Sequence, residues 1–146
     1  MKVYLAGPLF SAAERRWLDA VAAQLRADGI ECFVPHEVFA GTEPGSAQEI
    51  YSVDWEGMRG CDVLLAWLDG PSVDDGTAVE IGIFSEWVRT GEKRGIVGYC
   101  TDLRQKRSRA VAEHCGLNLF VAGALMSIGT LCWSLDDALD AVRALA

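Results

Sequence analysis

An acidic segment in the middle of the chain follows closely on an apolar run, Val63 to Leu68, and reads Asp74-Asp75-Gly76-Thr77-Ala78-Val79-Glu80. An apolar run of this length is typical of a buried strand, and a Gly-Thr pair after it is typical of the opening of a helix. In an open α/β sheet, ligands bind in the crevice beyond the carboxyl ends of the strands. Two carboxylates that face one bond are also the groups that break glycosidic bonds. The position and the residue types therefore favour a chemical role for this acidic cluster over a purely structural surface role.

Glu80 falls about one turn into the predicted helix, where the helix dipole favours an ionised carboxylate. An ionised carboxylate in a crevice can act as a nucleophile. The structural alternative is that Glu80 only caps the helix. Asp74 and Asp75 are also candidate N-caps. Only one of them is expected to cap, which leaves the other to meet a ligand.

Asp54 is a candidate because it falls inside the apolar face of another predicted helix, which runs from Ser46 to Arg59. The buried stripe of that helix is predicted at Ile50, Val53, Gly57 and Met58. A carboxylate inside such a stripe is costly unless it is paired or functional. The alternative is a charge at the edge of the stripe that a neighbouring amide satisfies.

Three residues near the first predicted strand complete the candidate set. Tyr4 lies in that strand with its hydroxyl within reach of the crevice, although a strand tyrosine more often packs in the core. Gly7 permits a close backbone approach to a ligand. Phe10 is an aromatic side chain that can stack on a base, although periodicity explains most such residues here as core. The segment around Gly7 is not a G-x-G-x-x-G, so no dinucleotide site is predicted.

Composition narrows the function classes. The 146 residues suit one domain, 1–146, and 51% of them are hydrophobic. A formal charge of −8 argues against a nucleic-acid partner, even though residues 104–109 contain a short basic cluster. Five scattered cysteines indicate reduced thiols and a cytoplasmic location, and His36 and His114 have no partner at metal-binding spacing. No apolar run approaches the roughly 18 residues of a membrane span.

Strand and helix patterns alternate along the whole chain. The predicted strands are Lys2–Ala6, Ile30–Val34, Val63–Leu68, Gly95–Cys100 and Thr130–Trp133. Capping boxes at Ser11 and Ser46 open two of the helices between them. This alternation predicts an α/β domain with a five-stranded parallel sheet that is wound on both faces, Rossmann-like or flavodoxin-like, with strand order 2-1-3-4-5.

Four segments in register resemble the nucleoside 2-deoxyribosyltransferase family. They are Tyr4–Phe10, Asp54–Asp62, Asp69–Gly82 and Asn118–Val121, and they extend from the first strand to the penultimate helix. Members of that family exchange the bases of 2′-deoxynucleosides without a metal or organic cofactor. They form oligomers in which one protomer completes the next one's site. The resemblance thus implies nucleosides and nucleobases as small-molecule partners, in a homo-oligomer with shared active sites.

The resemblance also implies a role for each matching residue. Glu80 would be the nucleophile that attacks the anomeric carbon, and Tyr4 would orient it. Asp54 would carry a proton to the leaving base and from the incoming base. Asp74 would contact the 5′-hydroxyl of the sugar, and Asn118 would come from a neighbouring subunit. The alignment of Asp74 depends on its spacing from Glu80, so the roles of Asp74 and Asp75 are open to exchange.

Two other functions remain open at this stage. The first is a nucleoside 5′-monophosphate N-glycosidase, in which water replaces the second base. The second is a nucleotide-sensing module that binds without chemistry and does not need Glu80. The sequence favours an unphosphorylated nucleoside, because Asp74, Asn118 and the loop Pro8–Phe10 offer no cation for a phosphate. Base choice is expected to depend on the loop at residues 36–46.

Overall fold

Five parallel strands form the central sheet of the computed structural model, which describes residues 1–41, 45–105 and 116–146. The strands are β1 (Lys2–Ala6), β2 (Glu31–Phe33), β3 (Val63–Trp67), β4 (Gly95–Tyr99) and β5 (Thr130–Cys132). Their order is β2-β1-β3-β4-β5, which confirms the predicted flavodoxin-like α/β sheet. Most of the basic cluster at 104–109, together with His114 and Cys115, lies outside the described residues.

Helices connect the strands on both faces of the sheet. They are α1 (Ala12–Ala27), α2 (Pro35–Val38), α3 (Ala47–Arg59), α4 (Asp75–Arg89), α5 (Leu119–Ile128) and α6 (Leu135–Arg143). The short helix α2 is not predicted by the sequence analysis, which ends the second strand at Pro35. Proline at the first helical position has its backbone already set for a helix, and this favours the extra turn. Among the described residues, no helix is long and apolar enough to cross a membrane.

The two predicted capping boxes differ in detail. At the start of α1 both arms form, because Ser11 accepts from the Glu14 amide while Glu14 accepts from the Ser11 amide. At the start of α3, Ser46 accepts from the amide of Glu49 as predicted. The Glu49 carboxylate, however, accepts from the Gly45 amide instead of the Ser46 amide. The prediction of a full box at Ser46 was therefore wrong in one of its two bonds.

Alternate residues of the central strands feed two apolar layers. Val3 and Leu5 of β1 pack in the layer beneath α1 and α6, whereas Tyr4 and Ala6 pack in the layer beneath α3, α4 and α5. This follows from the period of two in a strand, where neighbouring side chains point to opposite faces. Tyr4 therefore lies on the face of the sheet that carries the helices of Asp54 and Glu80.

Candidate active site

A cavity of about 400 Å³ opens beyond the carboxyl ends of β1 and β2. It lies between the loop after β1, helix α2, helix α3 and the start of α4. Three carboxylates that are distant in sequence line it together: Asp54, Asp74 and Glu80. Their convergence matches the rule that ligands of open α/β sheets bind where the strands end.

Tyr4 makes the central contact of this site. Its hydroxyl donates a hydrogen bond to Oε1 of Glu80 at 2.6 Å, and its side chain is fully buried. The ring stacks on Phe33 of β2 with 5.3 Å between centroids, which holds the hydroxyl in place. Burial raises the pKa of Tyr4 well above its ordinary value, and the nearby charges of Glu80 and Asp54 raise it further. Tyr4 therefore stays protonated and acts as a donor to Glu80.

Glu80 has an unusual ionisation equilibrium. Burial is the main cause that raises its pKa from 4.5 to about 8, and the charges of Asp54 and Asp74 add to the rise. The hydrogen bond from Tyr4 opposes this rise but does not cancel it. The helix dipole alone predicts an ionised carboxylate at this position. Desolvation outweighs the dipole in the folded protein, so much of Glu80 is protonated at neutral pH.

Asp54 is brought to the cavity by close packing of α3 on the sheet. A Cβ at Gly57, one turn further along, would lie 2.4 Å from Cζ of Phe33, so glycine is required for this approach. Oδ1 of Asp54 is buried and has no hydrogen-bond partner among the described residues. Burial raises the pKa of Asp54, and the hydroxyl of Tyr4 offsets part of the rise.

The predicted stripe of α3 is buried only at its carboxyl end. Gly57 and Met58 are buried, but Val53 is only partly covered and Ile50 is 41% exposed. The prediction was wrong for Ile50 because this residue lines the cavity instead of packing on the sheet. The amino-terminal half of α3 thus forms a wall of the site.

Asp74 and Asp75 differ clearly in their positions. Asp74 is the N-cap of α4, with Oδ2 accepting from the Thr77 amide at 3.0 Å and from the Thr77 hydroxyl at 3.1 Å. It also lines the cavity. Asp75 is exposed, does not line the cavity, and accepts from the Gly76 amide. One aspartate was expected to cap the helix and the other to face the ligand. This expectation does not hold, because Asp74 both caps α4 and faces the cavity.

The remaining predicted residues lie at the rim or outside it. Gly7 lines the cavity, and a Cβ there would approach Cβ of Trp67 to 3.1 Å, so packing also favours glycine. Phe10 lines the mouth with 75% of its surface exposed. Asn118 does not line the cavity of its own chain. It is exposed and caps α5 by accepting from the amides of Phe120 and Val121.

Three polar residues that line the cavity were not among the predicted site residues: Arg15, His36 and Thr77, the last of which is buried against Asp74. Arg15 of α1 donates through Nη1 to the carbonyls of Leu9 and Phe10, and so it fixes the loop after β1. His36, interpreted as an ordinary polar residue, lines the cavity and bonds through Nε2 to Oδ1 of Asp19 at 2.8 Å. A signal for His36 was present, since it lies two residues beyond the predicted strand Ile30–Val34 and begins the loop at residues 36–46 that is expected to affect base choice.

Comparisons with known proteins give a consistent result. The family profile described as nucleoside 2-deoxyribosyltransferase matches residues 3–131. A conserved protein from Enterococcus faecalis V583 has 30% identity and a TM-score of 0.81, with 100% of this chain and 99% of that chain covered. A 2-desoxiribosyltransferase from Leishmania mexicana has 21% identity and a TM-score of 0.67, with coverages of 95% and 94%.

A hydrolase shares the same fold. The CMP N-glycosidase from Clostridium botulinum has 17% identity and a TM-score of 0.56, and 99% of each chain is covered. The comparison with curated proteins gives no match.

Proposed function

This chain belongs to the nucleoside 2-deoxyribosyltransferase family, and on that premise we propose that it exchanges the nucleobase of 2′-deoxynucleosides through a covalent deoxyribosyl intermediate on Glu80. The observation that carries the proposal is the 2.6 Å hydrogen bond from Tyr4 to Glu80, in a cavity that also holds Asp54. A nucleophile, the group that orients it and a separate acid are the parts that a retaining double displacement needs.

In the first half-reaction, a carboxylate oxygen of Glu80 forms a bond to C1′ of the sugar as the bond from C1′ to the base breaks. The electron pair of the broken bond stays on the base nitrogen, and Asp54 supplies the proton that neutralises the base. In the second half-reaction, Asp54 takes a proton from the incoming base, whose nitrogen then attacks C1′. The bond to Glu80 breaks, and the carboxylate is regenerated with retention at C1′.

The ionisation states of the two acids suit these roles. Burial raises the pKa of Asp54, and this is the direction that favours a role as a proton donor. Glu80 must be ionised to attack, and its pKa of about 8 makes the anion a minor species in the empty site. The oxocarbenium-like transition state carries positive charge next to Glu80, which stabilises the anion when the sugar reacts. The donor from Tyr4 supports the same ionised state.

A second copy of the chain is proposed to complete the site. Helix α5 presents large apolar side chains to solvent near Asn118, including Leu119, Phe120 and Met126, and Phe120 is 88% exposed. Such a surface favours association with another protomer. Mixing an E80A protein with an N118A protein tests this: if each site combines residues of two protomers, hybrids regain activity that neither parent has. Parent-like inactivity of the mixture in exchange-competent conditions contradicts shared sites.

A nucleoside 5′-monophosphate N-glycosidase is the second candidate, and Arg15 is the observation in its favour. Asp74, Asn118 and the loop Pro8–Phe10 offer no cation for a phosphate, yet Arg15 of α1 also lines the cavity. Against it, Nη1 of Arg15 is engaged with two backbone carbonyls, and Asp74 lines the same cavity. A carboxylate about 4 Å from a phosphate costs roughly 1 kcal/mol per charge pair even in water, and more in a partly buried site. The transferase assignment is therefore preferred.

One incubation separates the candidate functions. The protein is mixed with one deoxynucleoside and a second free base, and the products are separated by chromatography. A new deoxynucleoside supports the transferase, and free sugar supports a hydrolase. No turnover supports a nucleotide-sensing module. E80A is expected to abolish turnover, whereas E86A, on the same helix but in an exposed ion pair with Arg89, serves as the matched control.

The proposed setting is nucleotide salvage in the cytoplasm. The four cysteines in the described residues, Cys32, Cys61, Cys100 and Cys132, are free thiols, as suits a reducing compartment.

A further inference from the structure

Phe33 contacts two elements of the site although it does not line the cavity itself. It is the last residue of β2 and is the cross-strand partner of Tyr4 in the parallel register of the sheet. The two rings stack with 5.3 Å between centroids and 11° between planes. The hydroxyl of Tyr4 in turn donates to Glu80 at 2.6 Å. One face of the Phe33 ring therefore supports the side chain that orients the proposed nucleophile.

The tip of the same ring lies against helix α3. A Cβ built on Gly57 would come within 2.4 to 2.8 Å of Cζ, Cε1 and Cε2 of Phe33, so these atoms are in close contact with the backbone of the helix. Asp54 precedes Gly57 by three residues, and residues at this spacing are neighbours on one face of a helix. Within α3, which the structure describes completely, only Gly57 and Met58 are buried. The contact with Phe33 is thus one of the few that set the distance of Asp54 from the sheet.

The proposed reaction needs its nucleophile and its acid at a fixed separation. Glu80 bonds to C1′ of the sugar in the same step in which the base leaves, and Asp54 must then reach a nitrogen of that base. A misplacement of about 1 Å can lower the rate of such a step about a hundredfold. These two carboxylates come from different helices, and the ring of Phe33 is a rigid body in contact with the supports of both.

We propose that Phe33 is a positioning residue that fixes the proposed nucleophile and the proposed acid relative to each other, through its contacts with Tyr4 and Gly57. The proposal rests on the proposed function, because it takes Glu80 as the nucleophile and Asp54 as the acid. Phe33 acts on the groups that react and does not itself line the cavity that binds the substrate. Its loss is therefore expected to lower kcat much more than it raises KM.

The first test is base exchange by F33L, with L131A as the control. Leu131 packs against the same apolar layer as Phe33 but lies in β5, at the opposite edge of the sheet from β2. We expect kcat of F33L to fall about 10- to 100-fold while KM stays close to the wild-type value, and we expect L131A to retain its kcat. Circular dichroism checks the fold, and F33M, whose flexible side chain fills more of the space, replaces F33L if that variant unfolds. A kcat of F33L no lower than that of L131A overturns the proposal.

Combining F33L with Y4F separates positioning from a general loss of packing. If Phe33 acts partly through the hydroxyl of Tyr4, F33L lowers kcat by a smaller factor in Y4F than in the wild type, because the hydroxyl is already absent. A loss of packing alone lowers kcat by the same factor in both backgrounds, and this result overturns the proposal.

Titration of Glu80 gives a readout that needs no turnover, because the hydrogen bond from Tyr4 opposes the rise in the pKa of Glu80. Carboxyl NMR of the labelled protein, with E80Q to assign the signal, gives this pKa in the wild type, F33L, Y4F and the double variant. The other ionisable groups that line the cavity are the same in all four proteins: Arg15, His36, Asp54 and Asp74. A higher pKa in F33L, with no further rise when F33L is added to Y4F, supports the role of Phe33 even when base exchange is absent, in which case the proposed transferase fails alone. A pKa that F33L leaves unchanged, or shifts equally in both backgrounds, overturns the proposal.

Discussion

Removing the hydroxyl of Tyr4 tests the core of the proposed mechanism. In Y4F, Glu80 loses the 2.6 Å bond that lowers its pKa, while the ring and its stacking on Phe33 remain. Hydrogen bonds to charged groups contribute about 1.5 to 3 kcal/mol, and about 1.4 kcal/mol corresponds to a factor of ten. If Glu80 must be ionised to attack, kcat/KM at pH 7 should therefore fall about 10- to 100-fold.

The pH dependence of kcat/KM should differ between the wild type and Y4F in a defined direction. An ionised nucleophile makes kcat/KM of the wild type rise with pH through the pKa of Glu80, about 8 in the free protein. In Y4F that pKa is higher, so the same rise is displaced to higher pH. The loss of kcat/KM in Y4F is consequently largest near neutral pH, and it shrinks at higher pH as Glu80 becomes ionised in both proteins.

The assay is base exchange measured from pH 6 to pH 10 for wild type and Y4F. Y51F is the control, because Tyr51 is 58% exposed on α3 and does not line the cavity. Circular dichroism checks that Y4F is folded. Wild-type activity of Y4F at neutral pH, or a deficit that stays constant across the range, would refute the idea that Tyr4 acts by stabilising ionised Glu80.

Three further predictions follow from the site and its packing. Because the pKa of Glu80 is raised from 4.5 to about 8, the native state holds a proton that the unfolded state has lost between these values. The unfolding free energy of the wild type should therefore fall as pH rises through this window, by at most about 5 kcal/mol, and E80Q should show a smaller fall in urea titrations at pH 5 and pH 8.5. D74S keeps an N-cap on α4 but removes a negative charge. Its turnover of 5′-monophosphates relative to nucleosides should therefore rise in a chromatographic assay. An unchanged ratio would count against the place of Asp74 near the 5′ end of the sugar. G57A introduces a Cβ 2.4 Å from Phe33 and should lower the unfolding free energy by about 1 to 3 kcal/mol. In the control G82A on α4, the new Cβ meets nothing within 4 Å, so the unfolding free energy should not fall. Equal effects of G57A and G82A in thermal unfolding would contradict the close approach of α3 to the sheet.

Local patterns in the sequence were enough to predict the architecture. Apolar runs bounded by turn residues place the five strands to within a residue or two, and the predicted caps Ser11, Ser46 and Asp74 all cap helices in the structure. These signals are local, since a cap or an apolar run stabilises its own element whatever surrounds it. The short helix α2 escaped because a single turn has no periodicity to detect.

The types and order of the acidic candidates could also be named from the sequence, but their properties could not. Whether Asp74 or Asp75 faces the cavity depends on how α4 is rotated against the sheet. The pKa of Glu80 depends on burial by residues from several elements, and this reverses the expectation from the helix dipole alone. His36 and Arg15 join the site only because β2 and α1 pack beside β1. The sequence thus determined which elements form and which acids they carry. The ionisation of those acids, their orientation and the full wall of the cavity arise from desolvation and from contacts between distant segments. Both exist only in the folded chain.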